Sequence, residues 1–187
     1  MYQSYLKAKG VGKVSGYMAG QSHSLSKIEG LRTLGIEVSK ENHTALELAL
    51  AMSNAIEAID HFTEAGVSAE ECLHQVFFKV SITNDFFLEI ARHRALRRLF
   101  NAIVSAYGIK QANLEIVSQA GPWEADIDDP HSFMLHATTQ AMSAILGGTD
   151  ALIVQPFYKV FPTKTSLAER IARNISSILS EESYLNK

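Results

Sequence analysis

Histidines are the first candidates for chemistry in this chain, which contains seven of them. His131 and His136 are five residues apart, which places them about 140° apart around a helix, so they are poorly placed to share a metal ion. His93 lies in an arginine-rich predicted helix and His61 lies near the end of another. Their spacing matches no zinc motif, and we interpret the histidines as packed or solvent-facing.

A cluster of arginines surrounds His93, at positions 92, 94, 97 and 98. Such a cluster could hold an anionic phosphate group or the carboxylates of a partner. On a helix, Arg94 and Arg98 share one face, while Arg92 and Arg97 point elsewhere. We therefore favour a solvated helix face, or ion pairs within the chain to Glu89.

The remaining candidates carry weaker signals. The acidic stretch at 124–129 lacks the glycine and the terminal glutamate of a calcium-binding loop, and we interpret it as a loop that leads into a helix cap. Trp123 is interpreted as a packing residue. Cys72 has no evident basic neighbour in sequence that would lower its pKa, which predicts an unreactive thiol. The sequence contains no P-loop, nucleophile elbow or dinucleotide fingerprint.

Alternating strands and helices would position these residues. The apolar runs predict four strands, at 31–38, 75–82, 114–119 and 151–155. Helical spacing and capping signals predict helices at 42–65, from 68, at 85–107, at 129–147 and at 165–182. This rhythm is typical of parallel βα units. A closed (β/α)₈ barrel has eight such units, so the pattern accounts for about half of one.

Composition limits the classes of protein that fit. The 187 residues, 47% hydrophobic and 20% charged, are typical of one globular domain. A net charge of -3 argues against a nucleic-acid partner. The single cysteine suits a reducing compartment. No apolar stretch reaches the length of a membrane span, and the N-terminus does not have the pattern of a secretory signal, so we expect no membrane and a cytoplasmic location.

Three segments carry a resemblance to a known family. They are FFLEIARHRALRRL at 86–99, ATTQAMSAILGGTDA at 137–151 and RIARN at 170–174. In order and spacing they resemble the later part of the acyl-CoA-binding barrel of the methylmalonyl-CoA mutase family, over about residues 31–184. The resemblance implies a partial TIM (β/α)8 barrel, an α/β fold. It implies that residues 31–187 are the C-terminal half of the barrel domain. Residues 1–30 are rich in Gly, Ser and Lys and have no sustained apolar periodicity, and we interpret them as a loosely structured lead-in.

The resemblance also implies a pocket without the family's chemical groups. Ile36 and Val117 align with two strand histidines of the family, one of which hydrogen-bonds the thioester carbonyl, and neither replacement can donate a hydrogen bond. Other aligned pocket positions hold Gln75, Phe77, Pro122 and Lys159 in place of an arginine, a serine, a glycine and a glutamate. Gln119 matches the family and is a weak candidate for substrate binding. The resemblance thus implies no catalytic, cofactor-binding or metal-binding residue.

Loss of these groups on a retained scaffold resembles the family's small, non-catalytic beta subunit. That resemblance implies a structural and subunit-pairing role in a heterodimer with a catalytic large subunit, in an isomerase that uses adenosylcobalamin. This chain is expected to bind no cofactor and to be inactive alone. The alternative is a catalytic acyl-CoA mutase fragment with an altered substrate pocket. A homodimer through exposed half-barrel edges is also expected to be possible, since open sheet edges promote association.

Overall fold

The computed structural model of the chain describes residues 16–17, 25, 31–38, 40–41, 43–121, 129–156, 166–183 and 185. The strands are β1 Gly16–Tyr17, β2 Leu31–Arg32, β3 Leu34–Val38, β4 Val76–Ser81, β5 Glu115–Ala120 and β6 Ala151–Val154. The helices are α1 Thr44–Glu64, α2 Ala69–Gln75, α3 Phe86–Ala106, α4 Pro130–Gly147 and α5 Ser166–Ser177, which is followed by a π-helical turn at Ile178–Glu182.

Strands β3 to β6 form one parallel sheet in the order β3-β4-β5-β6, and β1 pairs in parallel with β2. Helices connect the successive strands of the four-stranded sheet. This arrangement confirms the predicted α/β fold and is that of a partial βα barrel. The sheet therefore brings the carboxyl ends of its four strands to one edge.

The first predicted strand differs from the prediction at one point. It is interrupted at Thr33, whose backbone N–H and hydroxyl both donate to Gln75 Oε1, at 3.2 and 3.3 Å. A side-chain acceptor thus takes the place of a strand partner at this residue. Gln75, a predicted pocket position, therefore has a role in holding the start of the sheet.

The predicted helix ends agree with the structure to within about two residues, except that the last helix, predicted at 165–182, ends at Ser177, where a π-helical turn begins. Ser68, Asp85 and Asp129 each cap a helix by accepting a hydrogen bond from a backbone N–H in its first turn. Gly66 and Gly148 follow helix ends with φ of 91° and 90°, a left-handed conformation that favours glycine.

One face of the sheet packs against the helices and forms the main core. Leu34, Ile36 and Val38 of β3 alternate into this core, where they join side chains of α1, α2 and α3. In β4, Val76, Phe78 and Val80 are fully buried in the same cluster. The period-2 alternation therefore places the intervening residues on the other face of the sheet.

Candidate functional site

The face of the sheet opposite the helices, called here the opposite face, carries the mixed polar and apolar residues of β3, β4 and β5. The strand register aligns Glu37 with Lys79, Lys79 with Val117, and Ser81 with Gln119. Lys79 Nζ lies 3.3 Å from Glu37 Oε1, which makes an exposed cross-strand ion pair. This face and the adjacent carboxyl ends of the strands form the candidate site, since barrel chemistry resides at those ends.

The structure does not bring the two histidine-replacing positions together. Val117 is buried on the opposite face, next to Lys79 in the strand register. Ile36 lies in the core on the helix side of the sheet. The residue of β3 that shares a face with Val117 is Glu37, and the apolar alternation of Leu34, Ile36 and Val38 in the sequence was a signal for this.

Gln119, the weak substrate-binding candidate, lies half-buried near the end of β5 on the opposite face. Its register partners are Ser81 of β4 and Ile153 of β6, and Ile153 is exposed. Phe77 is buried on the same face against Gly35. Pro122, Trp123 and Lys159 lie outside the described residues, as does the acidic stretch apart from Asp129.

A buried ionic cluster lies on the helix side of the sheet, near the carboxyl ends of the strands. It is formed by Glu47 of α1 and by Glu89 and Arg92 of α3. Arg92 Nη1 lies 2.8 Å from Glu47 Oε2, and Arg92 Nη2 lies 3.2 Å from Glu89 Oε2. The three side chains are at most 5% exposed. Burial raises the pKa of Glu89, against the attraction of Arg92 and the hydrogen bonds from Thr83, which lower it.

The arginines at 92 and 97 form ion pairs within the chain. The predicted ion pair with Glu89 is confirmed for Arg92. Arg97 pairs instead with Asp150, at 2.7 Å, and also donates to the carbonyls of Leu114 and Gly148. Sequence reasoning missed Glu47 as a partner of Arg92, because the two residues are 45 positions apart and meet only when α1 packs beside α3.

A second polar network ties α4 to the carboxyl ends of β4 and β5. Gln140 is buried, and its Oε1 accepts a hydrogen bond from Gly121 N at 2.9 Å. Its Nε2 donates to Asn84 Oδ1 at 2.8 Å. A single amide side chain therefore positions the segments that follow two neighbouring strands.

His93 is fully buried between α3 and β5. Its Nδ1 lies 2.8 Å from the carbonyl oxygen of Glu89, which requires a proton on Nδ1, so Nε2 accepts the hydroxyl of Ser118 at 2.7 Å. Burial lowers the pKa of His93 to about 4, with added repulsion from Arg92 and Arg97. The prediction of a packed histidine is confirmed here, since both ring nitrogens serve the fold.

Metal binding and thiol chemistry find little support in the described ranges. No group of three or more His, Cys, Asp or Glu residues in those ranges is arranged to hold a metal ion. Cys72 is fully buried, and burial raises the pKa of its thiol, which agrees with an unreactive cysteine. In the part of the chain that the structure describes, no helix is both long and apolar enough to cross a membrane.

Comparison with known proteins gives consistent matches. The family described as methylmalonyl-CoA mutase matches residues 23–187. The methylmalonyl-CoA mutase small subunit of Porphyromonas gingivalis is 33% identical over 145 residues, which cover 75% of this chain and 24% of that protein. The methylmalonyl-CoA mutase small subunit of Streptomyces virginiae is 32% identical over 161 residues, which cover 83% of this chain and 26% of that protein.

A further match is the probable mitochondrial methylmalonyl-CoA mutase of Caenorhabditis elegans, which is 28% identical over 167 residues, covering 87% of this chain and 22% of that protein. The chain thus spans about a quarter of the length of the curated relatives that it matches.

Proposed function

The chain belongs to the methylmalonyl-CoA mutase family, and we propose that it acts as a barrel segment of the small subunit. In this role it contributes stability and subunit pairing to an isomerase that interconverts methylmalonyl-CoA and succinyl-CoA. We further propose that residues 31–187 are the C-terminal half of the barrel domain, that residues 1–30 are a lead-in, and that the protein is cytoplasmic.

The observation that carries this proposal is the use of polar groups at the carboxyl edge of the sheet. Arg92 bonds to two buried glutamates, and Gln140 bonds to Asn84 and Gly121. These contacts hold segments of the fold in place. Ile36, which aligns with the histidine that binds the thioester carbonyl, is apolar and lies in the core, and Val117 on the opposite face has no side-chain donor either. The site therefore supports a scaffold better than a catalyst.

We propose that the described residues provide no site for adenosylcobalamin, which the family resemblance implies for the complete isomerase. Glu37 and Lys79 bond to each other on the opposite face, and Val117 beside them is apolar. His93 is buried on the helix side with both nitrogens engaged. We propose that this chain holds no cofactor and is inactive alone.

Activity measurements test the inactive-scaffold proposal. The purified chain is mixed with adenosylcobalamin and methylmalonyl-CoA, and both product formation and the corrin absorption spectrum are followed. We expect no turnover and an unchanged spectrum. Isomerisation by the chain alone would refute the proposal.

Partner binding is a separate test. The proposed partner is the catalytic large subunit, and the parallel sheet supports association because β6 is only partly covered within the described structure, with Ile153 44% exposed. Sedimentation of the chain with and without the purified large subunit should show a 1:1 complex. Unchanged sedimentation coefficients for both proteins would count against pairing.

A homodimer is the alternative association that the same sheet edge supports. A second copy would cover the partly exposed residues of β6. Sedimentation equilibrium at low micromolar concentration should then give twice the mass of 20.6 kDa. A stable monomer under these conditions would contradict the homodimer. It would not bear on pairing with the large subunit, which the experiment with that subunit tests.

The second candidate function is a catalytic acyl-CoA mutase fragment with an altered pocket. It is supported by Gln119, which lies half-buried on the opposite face beside Ser81. In this case calorimetry should detect binding of CoA thioesters that is lost in Gln119→Ala and retained in the control Asn101→Ala on the exposed side of α3. Binding that is absent, or equal in the two variants, would exclude this function.

A further inference from the structure

The ionic cluster of Glu47, Glu89 and Arg92 connects to two segments at the carboxyl edge of the sheet. Glu47 Oε1 accepts the backbone N–H of Glu41, in the segment between β3 and α1, at 3.0 Å. Glu89 Oε1 accepts the backbone N–H and the hydroxyl of Thr83, in the segment between β4 and α3, at 3.0 and 2.8 Å. Each carboxylate thus gives one oxygen to a segment and the other to Arg92.

Arg92 is the shared element of these two connections. Its Nη1 binds Glu47, and its Nη2 binds Glu89 and also donates to the carbonyl of Ser81, the last residue of β4. The arginine is 4% exposed, so water cannot solvate its charge if it loses a carboxylate partner. A movement of one glutamate must therefore change the balance of contacts at the other.

Some polar atoms of the cluster have no hydrogen-bond partner, which makes the cluster sensitive to small structural changes. Glu89 Oε2 and Arg92 Nε are buried without a hydrogen-bond partner, although Oε2 lies within ion-pair distance of Nη2. Buried polar networks that are only partly satisfied are costly, and small changes in them have large effects. A rigid salt bridge on the surface would not have this property, since water would compensate for lost contacts.

We propose that the Glu47–Arg92–Glu89 cluster is a conformational coupling device that links the segment containing Glu41 to the segment containing Thr83. Displacement of either segment alters the ion pair that holds the other. The two segments lie at the edge where parallel βα proteins bind ligands and partners. A contact made to one segment is thereby transmitted to its neighbour through the interior of the protein.

Amide hydrogen exchange of the full chain, measured residue by residue, tests this coupling. In Glu89→Gln, the amide of Glu41 should exchange about tenfold faster, although its acceptor, Glu47, is unchanged. In Glu47→Gln, the amide of Thr83 should accelerate similarly. The amide of Val80 in β4 reports any change in global stability, and the amides of Glu41 and Thr83 should accelerate by a larger factor than that of Val80, because the coupling concerns local opening.

A matched control is Glu115→Gln, which removes a carboxylate from another ion pair of the sheet, that with Arg32 at 3.1 Å. It should leave the amides of Glu41 and Thr83 unchanged. If Glu89→Gln does not fold, Thr83→Val removes the hydroxyl contact, leaves the buried charges in place, and should still accelerate the amide of Glu41.

Two results would overturn the proposal. In the first, each variant accelerates only the amide bonded to the substituted glutamate, which would show that the two segments open independently. In the second, the amides of Glu41, Thr83 and Val80 accelerate by the same factor. The cluster would then contribute to global stability alone.

Discussion

Protonation of His93 should make this protein lose stability in mildly acidic solution. The buried ring is neutral, donates from Nδ1 to the carbonyl of Glu89, and accepts from Ser118. Its pKa is lowered from 6.5 to about 4, chiefly by burial. The unfolded chain therefore binds a proton near pH 6.5, while the folded protein resists protonation until about pH 4. The contribution of His93 to the free energy of unfolding is fully present above pH 6.5 and is lost as the pH falls towards 4.

The magnitude follows from the difference between the two pKa values. Each pKa unit corresponds to about 1.4 kcal/mol, so the full effect on the free energy of unfolding is about 3 kcal/mol. Between pH 7.5 and pH 5, linkage gives a loss of about 2 kcal/mol from His93. Glu89 acts in the opposite direction, because its raised pKa makes the folded protein bind a proton more readily as the pH falls.

The assay is urea unfolding of the wild type and of His93→Gln, followed by circular dichroism at pH values from 5 to 7.5. The difference between the two proteins isolates the histidine, because the other titrating groups are common to both. His93→Gln should be less stable at pH 7.5 and should lose about 2 kcal/mol less than the wild type on acidification.

His136→Gln, at a half-buried position of α4, controls for the loss of a histidine and should follow the wild type. Equal pH dependence of His93→Gln and the wild type would refute the reasoning.

Three further substitutions test the fold in the same urea assay. Arg92→Met leaves two buried carboxylates without their partner and should cost about 3 to 5 kcal/mol, whereas the exposed control Arg98→Met should stay within about 0.5 kcal/mol. In Gly35→Ala, the added Cβ would lie 2.6 Å from the ring of Phe77, and we expect a loss of about 1 to 3 kcal/mol that shrinks in a Phe77→Leu background. Ser68→Ala removes a cap that accepts a backbone N–H at 3.2 Å and should cost about 1 kcal/mol. Arg92→Met with wild-type stability would contradict the role of its ion pairs. Gly35→Ala with wild-type stability, or with the same loss in both backgrounds, would contradict the close contact with Phe77. Ser68→Ala with wild-type stability would contradict the role of the cap.

Local signals in the sequence were sufficient to predict most of the elements. Ser68 and Asp129 were identified as caps because a side-chain oxygen at a helix start satisfies nearby backbone N–H groups. The pair of Glu89 and Arg92 was also accessible, since residues three apart on a helix are neighbours. These interactions depend on residues close in sequence, which is why the sequence reveals them.

The last predicted helix shows where local signals end. It was predicted at 165–182, but α5 ends at Ser177 and a π-helical turn follows at Ile178–Glu182. The apolar periodicity continues through both parts, with Ile175 and Leu179 buried in one cluster. Periodicity alone does not distinguish the two hydrogen-bond patterns, because the same face is buried in each.

Residue order and local chemistry were enough to predict the alternation of strands and helices, the caps at Ser68 and Asp129 and the family, because each of these depends on neighbouring residues. The contacts between distant polar groups became evident only in the folded protein. Glu47 reaches Arg92 across 45 positions, and Gln140 reaches Asn84 across 56. The strand register likewise placed Ile36 in the core and Glu37 on the face of Val117. Such contacts arise when parallel strands and their helices pack, and this packing brings together side chains that local sequence patterns do not relate.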